Sequence, residues 1–365
     1  MVQPVRAALV GAGLVGQVAH LRTLTAPDSP IRLAAVIDAS PGRARSIGAT
    51  YGVPGATSLQ ALGTAGLDAV VIAAPDPYHG DLAREALAAG LHVFIEKPLA
   101  LTAAEAEGMQ SAGQAASRIC QVGYMKRFDP AARTLMADLR ERGSRITGIG
   151  VEVRDPDASP FVRDVPFVPA DDLPPDAART GQARLTAAVA QILGRTPTPD
   201  EVTGYASYIS ALVHDLNLSR MMVPGPLAVE AGFMSMSGLQ VGMHLRAADG
   251  TLIRMTHTQD TTIADYQERF VVYTTRGVYE LVFPAPYLLH HPTALRRIDP
   301  KDASERSAIV DLNASTEEAF VLELHAFAEA IAQERDAPIE NSFADAVEDL
   351  RLLQAAFTMA AMGTA

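Results

Sequence analysis

The sequence predicts two domains: an α/β half with a doubly wound parallel sheet, residues 1–123, and an α+β half with a mainly antiparallel sheet, residues 124–365. Three observations carry this. Over residues 5–122, continuous Val/Ile/Leu/Ala runs alternate with helical stretches, the pattern of a parallel sheet covered on both faces. After Gly123 the strand-like runs are joined by turn dipeptides, as in an antiparallel sheet. A chain of 365 residues, 48% of them hydrophobic, suits two cores better than one.

The parallel strands are expected at Val5–Val10, Leu33–Ile37, Ala69–Ala73, His92–Ile95 and Ile119–Val122, and the intervening helices at Gly16–Thr25, Pro41–Tyr51, Asp81–Ala89 and Thr102–Ser117. Right-handed crossovers make this arrangement doubly wound. Beyond Gly123, a helix at Pro130–Arg142 leads to an alternating strand, Ile146–Arg154. Residues 155–176 are rich in proline and aspartate and read as an irregular surface segment. Helices follow at Ala177–Leu193 and Pro199–Met222. Strands near Leu227–Ser235, Gln240–Ala247, Leu252–Thr258, Glu268–Thr274 and Val278–Val282 form a meander, with Asp249-Gly250 and Arg276-Gly277 as turns. Helices at Glu317–Glu334 and Ser342–Met362 come last and are expected to pack back toward the first domain.

Composition excludes several function classes. A net charge of −12 argues against a nucleic-acid partner, which needs a basic face. The single cysteine, Cys120, permits no disulfide framework within the chain, and no metal site is expected. There is no secretory n-region with a cleavage site and no apolar run long enough for a bilayer. The expected setting is cytoplasmic, without a membrane partner.

The first strand runs into GAGLVG, Gly11-Ala12-Gly13-Leu14-Val15-Gly16, and then a helix. Gly11 allows the tight turn, Gly13 admits a pyrophosphate close to the backbone, and Gly16 lets helix and strand pack closely. The helix start offers free N–H groups and a positive dipole end to phosphates. Asp38 ends the second strand, where an acid binds a ribose 2′-hydroxyl and repels a 2′-phosphate, which favours NAD over NADP. Arg43, one turn on, softens that preference.

The fourth strand ends in Glu96-Lys97-Pro98. The carboxyl edge of a parallel sheet is where ligands bind. An ammonium there can hydrogen-bond a substrate oxygen and stabilise a developing alkoxide. Glu96 would orient Lys97 beside the cofactor. Pro98 stiffens the turn and permits a cis Lys97–Pro98 bond.

With GAGLVG (11–16), AAPDPYH (73–79), EKPLALT (96–102), GYMKRFDP (123–130) and HDLNLSR (214–220), the chain resembles the glucose–fructose oxidoreductase / inositol dehydrogenase family (Gfo/Idh/MocA), closest to its inositol 2-dehydrogenase-like branch. The resemblance implies a Rossmann domain followed by an open sheet often used for homo-oligomer contacts. It also implies NAD(P)-dependent oxidation of a secondary hydroxyl on a sugar or cyclitol. By the same resemblance Ala74 and His79 line the cofactor and Lys97 is catalytic. A dimer or tetramer is expected.

His214 then reads as the group that handles the hydroxyl proton. Helical spacing puts Ser207, Ser210, Asn217 and Leu218 on its face. Inositol dehydrogenase-like members carry acids where this chain has Ser210 and Asn217, so both replacements here are neutral. Arg127 is expected to bind substrate hydroxyls through its planar fork, and Arg154 and Asp155 to open on the same pocket or form a surface ion pair. Tyr205 and Tyr208 are either core or a sugar-stacking wall. The long segment 155–200 is expected to shape a pocket for a substrate larger than a free monosaccharide, a glycoside or aminocyclitol. The function expected is an NAD-dependent dehydrogenase of a cyclitol, sugar or glycoside, including aminoglycoside-type substrates. Two alternatives stand beside it: an epimerase or keto-intermediate glycoside-processing enzyme that recycles bound NAD, and a non-enzymatic sugar sensor.

Overall fold

The computed structural model describes residues 3–156, 159–312, 315–333 and 339–363. Glu334, the last residue of one expected helix, and residues 157–158 of the long segment lie outside this set. The chain divides into two compact units. The first comprises Met1–Tyr124, Asp164–Ala188 and Phe320–Leu350; the second comprises Met125–Arg163, Val189–Ala319 and Arg351–Ala365. Segments 164–188 and 320–350 therefore fold with the glycine-loop half, although they follow the Gly123 boundary.

In the first unit, β1 (Val5–Val10), β2 (Ile31–Ile37), β3 (Gly55–Ala56), β4 (Ala69–Ile72), β5 (His92–Glu96) and β6 (Cys120–Gly123) form one parallel sheet in the order β3-β2-β1-β4-β5-β6. The two-residue β3 is too short to leave an apolar run in the sequence. Residues 69–72 of β4 and 93–96 of β5 are buried throughout, as strands covered on both faces must be. Leu9, Val71, Phe94, Leu324 and Phe327 share one core cluster, so the helix Ala319–Ala332 contributes to the core of this unit. The helix Pro41–Tyr51 starts on a Ser40 cap with proline in its first turn and stops at Gly52 in the left-handed region.

In the second unit, β7 (Ile146–Asp155), β8 (Leu227–Met234), β9 (Gln240–Ala247), β10 (Leu252–Gln259), β11 (Gln267–Thr274), β12 (Gly277–Phe283), β13 (Ala294–Ile298) and β14 (Ile309–Asp311) form an open sheet in the order β14-β13-β12-β11-β7-β10-β9-β8. The expected meander is interrupted. β7 inserts between β10 and β11, parallel to the first and antiparallel to the second. Its alternating burial places Ile149, Val151 and Val153 in the core. Among the described residues no helix is long and apolar enough to cross a membrane.

The strand order changes direction between β1 and β4, and the loops there meet without clearance. A Cβ on Gly11, whose φ is +88°, would lie 2.5 Å from the Cα of Ala74, and one on Gly16 would lie 2.4 Å from the Gly11 carbonyl oxygen. A Cβ on Gly13 would meet nothing within 4 Å. Gly11→Ala should therefore lower the unfolding free energy by about 2 kcal/mol or more, whereas Gly13→Ala should stay within about 0.5 kcal/mol of the parent. Urea denaturation of the two variants checks this, and equal losses would contradict the packing described.

Candidate functional site

The glycine loop is held by Asp38. Its Oδ2 accepts from the Ala12 amide at 2.8 Å, and its Oδ1 accepts from the Ser40 amide at 2.8 Å. Asp38 is buried, and Arg43 Nη1 lies 3.5 Å from its Oδ2. The open space at Gly13, the packed positions at Gly11 and Gly16, and a carboxylate at the end of β2 fit a dinucleotide and its ribose. Leu14 and Val15, between the glycines, are partly exposed. Ala74 lies across from Gly11.

His79 is fully buried, with Nδ1 2.7 Å from the Pro98 carbonyl oxygen and Nε2 2.8 Å from that of Ala74. Both ring nitrogens are thus engaged by backbone. His79 braces the loops after β4 and β5 rather than presenting a nitrogen to a ligand.

Part of the proline-rich segment straps over this region of the first unit. The Gln17 side chain donates to the Val168 carbonyl at 3.0 Å and accepts from the Val168 amide at 2.8 Å. Arg43 Nε donates to the same carbonyl at 3.1 Å, and its guanidinium lies 5.6 Å from the Phe167 ring centre. Asp172 accepts from the Ser40 hydroxyl and from the Gly42 amide. Further along, the Tyr78 hydroxyl donates to the Ala177 carbonyl at 2.8 Å and Arg184 pairs with Asp81 at 2.7 Å. This stretch of the long segment was expected to shape a substrate pocket; in the first unit it contacts the helices that follow β1, β2 and β4.

The Glu96-Lys97-Pro98 turn has a cis Lys97–Pro98 bond, as anticipated. Glu96 is buried, and its carboxylate faces inward. His20 Nε2 lies 2.6 Å from Glu96 Oε1, and the Lys97 amide donates to Oε2 at 3.2 Å. Lys97 itself is partly exposed. No motif marks the third member of this group, Glu323, on the helix Ala319–Ala332. It is fully buried, its carboxyl oxygens make no hydrogen bond among the described residues, and ligand atoms of His20, Glu96 and Glu323 lie within 4.8 Å of one another. Burial, and then the charge of Glu96, push the Glu323 carboxyl well above the usual carboxylate range. Phe94 and Phe320 pack edge-on against His20 at 5.4 and 6.0 Å.

In the second unit, His214 and Ser210 are partly exposed and Asn217 is buried. The helix carrying them is not continuous α-helix. Pro199–Ser207 and Val213–Met222 are joined by a π-turn, Tyr208–Leu212. A π-turn takes up one extra residue, so it rotates Ser207 and Ser210 away from the face that uniform spacing assigns to them relative to His214. Arg127 is buried and donates through Nε and Nη2 to the Asn217 carbonyl at 3.1 and 2.9 Å, so much of its expected hydroxyl-binding fork is spent on this helix. Arg154 forms the surface ion pair, with Asp265 at 2.5 Å. Asp155 is partly exposed, with His257 Nε2 3.6 Å away. Tyr205 and Tyr208 are core. The Tyr208 hydroxyl donates toward the Gly242 and Phe233 carbonyls at 2.6 and 3.0 Å, and Tyr205 stacks on Phe357 at 4.9 Å.

Asp215, next to His214, anchors a buried ion cluster. Lys126 Nζ bonds Asp215 at 2.7 Å and also bonds Glu268, whose other oxygen accepts from Tyr266 at 2.6 Å. Burial, then the Glu268 charge, pushes Asp215 well above its ordinary range despite Lys126, whereas at Glu268 burial is outweighed by the Lys126 charge and by hydrogen bonds, which hold it below its own. Burial opposes the Lys126 charge, but the two acids outweigh it and keep it an ammonium.

Residues 5–124 match the family model described as oxidoreductase family, NAD-binding Rossmann fold (GFO_IDH_MocA). Over 131 residues the chain is 44% identical to inositol 2-dehydrogenase 1 of Saccharopolyspora erythraea, a match spanning 35% of this chain and 39% of that protein. Over 133 residues it is 35% identical to scyllo-inositol 2-dehydrogenase (NAD(+)) of Bacillus subtilis, again 36% of this chain and 39% of the relative. The chain thus spans about two fifths of the length of the curated relatives it matches. The fold extends further. A 3-ketoreductase from Actinomadura kijaniata, solved with TDP-benzene and NADP, superposes with a TM-score of 0.72 over 98% of both chains at 17% identity.

The neutral Glu323 has a pH consequence. The folded state holds its proton more tightly than the unfolded chain, where a glutamate titrates near about 4.3. The stability it permits is full below that pH and falls as pH rises through the folded value. Glu323→Gln should remove this fall, so the variant should gain stability relative to the parent between about pH 5 and about pH 8 in urea melts. Parallel profiles for the two proteins would show that Glu323 is not held neutral.

Proposed function

We infer, from the match of residues 5–124 to the oxidoreductase family model with an NAD-binding Rossmann fold, that this chain is a nicotinamide-dependent dehydrogenase of a secondary ring hydroxyl on a cyclitol, sugar or glycoside. The observation that carries this reading is the pairing, within one unit, of the Gly11–Gly16 loop after β1 with Lys97 just past the end of β5. When bound, the nicotinamide accepts two electrons with the C–H hydrogen of the carbinol carbon. The chain's residues manage the remaining charge. The Lys97 ammonium hydrogen-bonds the substrate oxygen and stabilises the alkoxide that forms as the O–H proton departs. His214 accepts that proton, and Ser210 and Asn217 position the ring. Substrate loses two electrons, the carbon–hydrogen hydrogen and one proton, and becomes the ketone.

Asp38 favours NAD as the cofactor. The neutral Ser210 and Asn217, where inositol dehydrogenase-like members carry acids, weigh against inositol itself as the substrate. A second reading, in which the cofactor stays bound and the hydrogen is returned within the cycle, is favoured by the strap from Val168 to Asp172 over Gln17, Ser40 and Arg43. Such a clasp would slow cofactor release.

The test is NADH formation across inositols, aminocyclitols, hexoses and glycosides, with NAD and NADP in parallel. Lys97→Ala should cut turnover by about 10³-fold or more while leaving dinucleotide affinity within about threefold. Unchanged turnover would remove Lys97 from the mechanism. Tight cofactor binding with no net NADH from any substrate would move the assignment to the recycling reading.

A further inference from the structure

The Ser40–Arg43 turn carries the donor set of a phosphate site. Ser40 offers a hydroxyl, Gly42 a backbone amide at a helix N-terminus, and Arg43 a guanidinium. The turn directly follows Asp38, the acid positioned for the adenosine ribose. A 2′-phosphate on that ribose would lie just beyond the Asp38 carboxylate, against these three groups. This is where the donors of an NADP site are expected.

Each donor is already engaged. The Asp172 carboxylate takes the first two, accepting from the Ser40 hydroxyl with Oδ1 and from the Gly42 amide at 2.8 Å with Oδ2. Its fit is close, since a Cβ on Gly42 would come within 2.9 Å of Oδ2. Arg43 is drawn off in another direction, donating to the Val168 carbonyl at 3.1 Å, lying over Phe167 and reaching Asp38 at 3.5 Å. Two oxygens of one anionic group, bonded by a hydroxyl and a helix-terminal amide, are what a phosphate would present there. The Ser40 and Gly42 hydrogen bonds hold the Asp172 carboxyl below the usual carboxylate range, so its charge persists at neutral pH.

We propose that Asp172, delivered by the strap, is a built-in anion that occupies the 2′-phosphate position and excludes NADP. Asp38 alone binds a 2′-hydroxyl; Asp172 adds a second negative charge and removes the donors that could compensate a phosphate. This rests on the reading of Gly11–Gly16 and Asp38 as the dinucleotide site. It assigns part of the long segment a role in cofactor choice.

Dissociation constants for NADH and NADPH, measured by fluorescence or calorimetry without substrate, test it. Asp172→Asn keeps the shape and removes the charge, and Asp172→Ser vacates the position. In both variants NADPH should bind about tenfold tighter or more, with NADH within about threefold of the parent. The parent's preference for NADH should also shrink as salt is raised, because the repulsion is screened. If NADH binds normally and NADPH affinity is unchanged in both variants, Asp172 is a structural pin and the proposal fails while the dinucleotide reading stands. Loss of NADH binding in both folded variants would equally overturn it. If the parent binds neither dinucleotide, the reading beneath the proposal fails with it.

Discussion

The first unit depends on the approach of the Gly11 backbone to Ala74, at the point where the strand order turns from β1 to β4. No side chain fits between them. The contact fixes how far apart the two loops open, and so the width of the crevice that a parallel sheet leaves at its carboxyl edge. What surrounds the contact is arranged to hold it. Asp38 ties the glycine loop to β2 through Ala12, and His79 ties the loop after β4 to the turn after β5. Residues that a sequence reading assigns to ligand contact thus include some whose hydrogen bonds are spent within the fold.

Buried charge is handled in two different ways. Lys126 lies between two acids, and its ammonium faces a Glu268 held toward its charged form and an Asp215 pushed toward its neutral one, which leaves the cluster near zero net charge. Removing Lys126 would strand a carboxylate charge away from water, which costs several kcal/mol. Glu323 has no cation of this kind. It escapes the cost by keeping its proton beside Glu96, which is already bonded by His20. The consequence for Glu96 is orientation: its carboxylate is anchored inward at the base of the Lys97 turn, while Lys97 stays partly exposed.

The parallel half was legible because strands buried on both faces leave continuous apolar runs, and because glycines in a strand–turn–helix context have a narrow meaning. The cis bond before Pro98 was legible for a similar reason. Less local features were not. β7 reads as an ordinary alternating strand, and nothing in its composition says that it will insert between β10 and β11. The π-turn at Tyr208–Leu212 adds a residue to a helix without changing its apolar pattern, so phase arguments across it fail. Glu323 sits in a late helix with no motif around it to mark its burial. Asp215 follows His214 directly, and nothing local in the sequence pairs it with Lys126, 89 residues earlier.

The strap shows why proline- and aspartate-rich stretches resist assignment from composition. Residues 164–188 lack the periodicity that marks a core element over their first half, and their partners are scattered over Gln17, Ser40, Gly42, Arg43 and Tyr78. Proline restricts the unfolded chain and lowers the entropy lost on ordering it, so a segment with few apolar contacts can still be held by a handful of hydrogen bonds. A carboxylate in such a segment needs little supporting structure to act, because its charge reaches beyond its contacts. Asp172 is exposed, yet it meets the N-terminus of the helix that follows Asp38. On the proposed reading, the groups that define cofactor chemistry come from the early strands, and the group that narrows the choice comes from a late segment folded back onto the same unit.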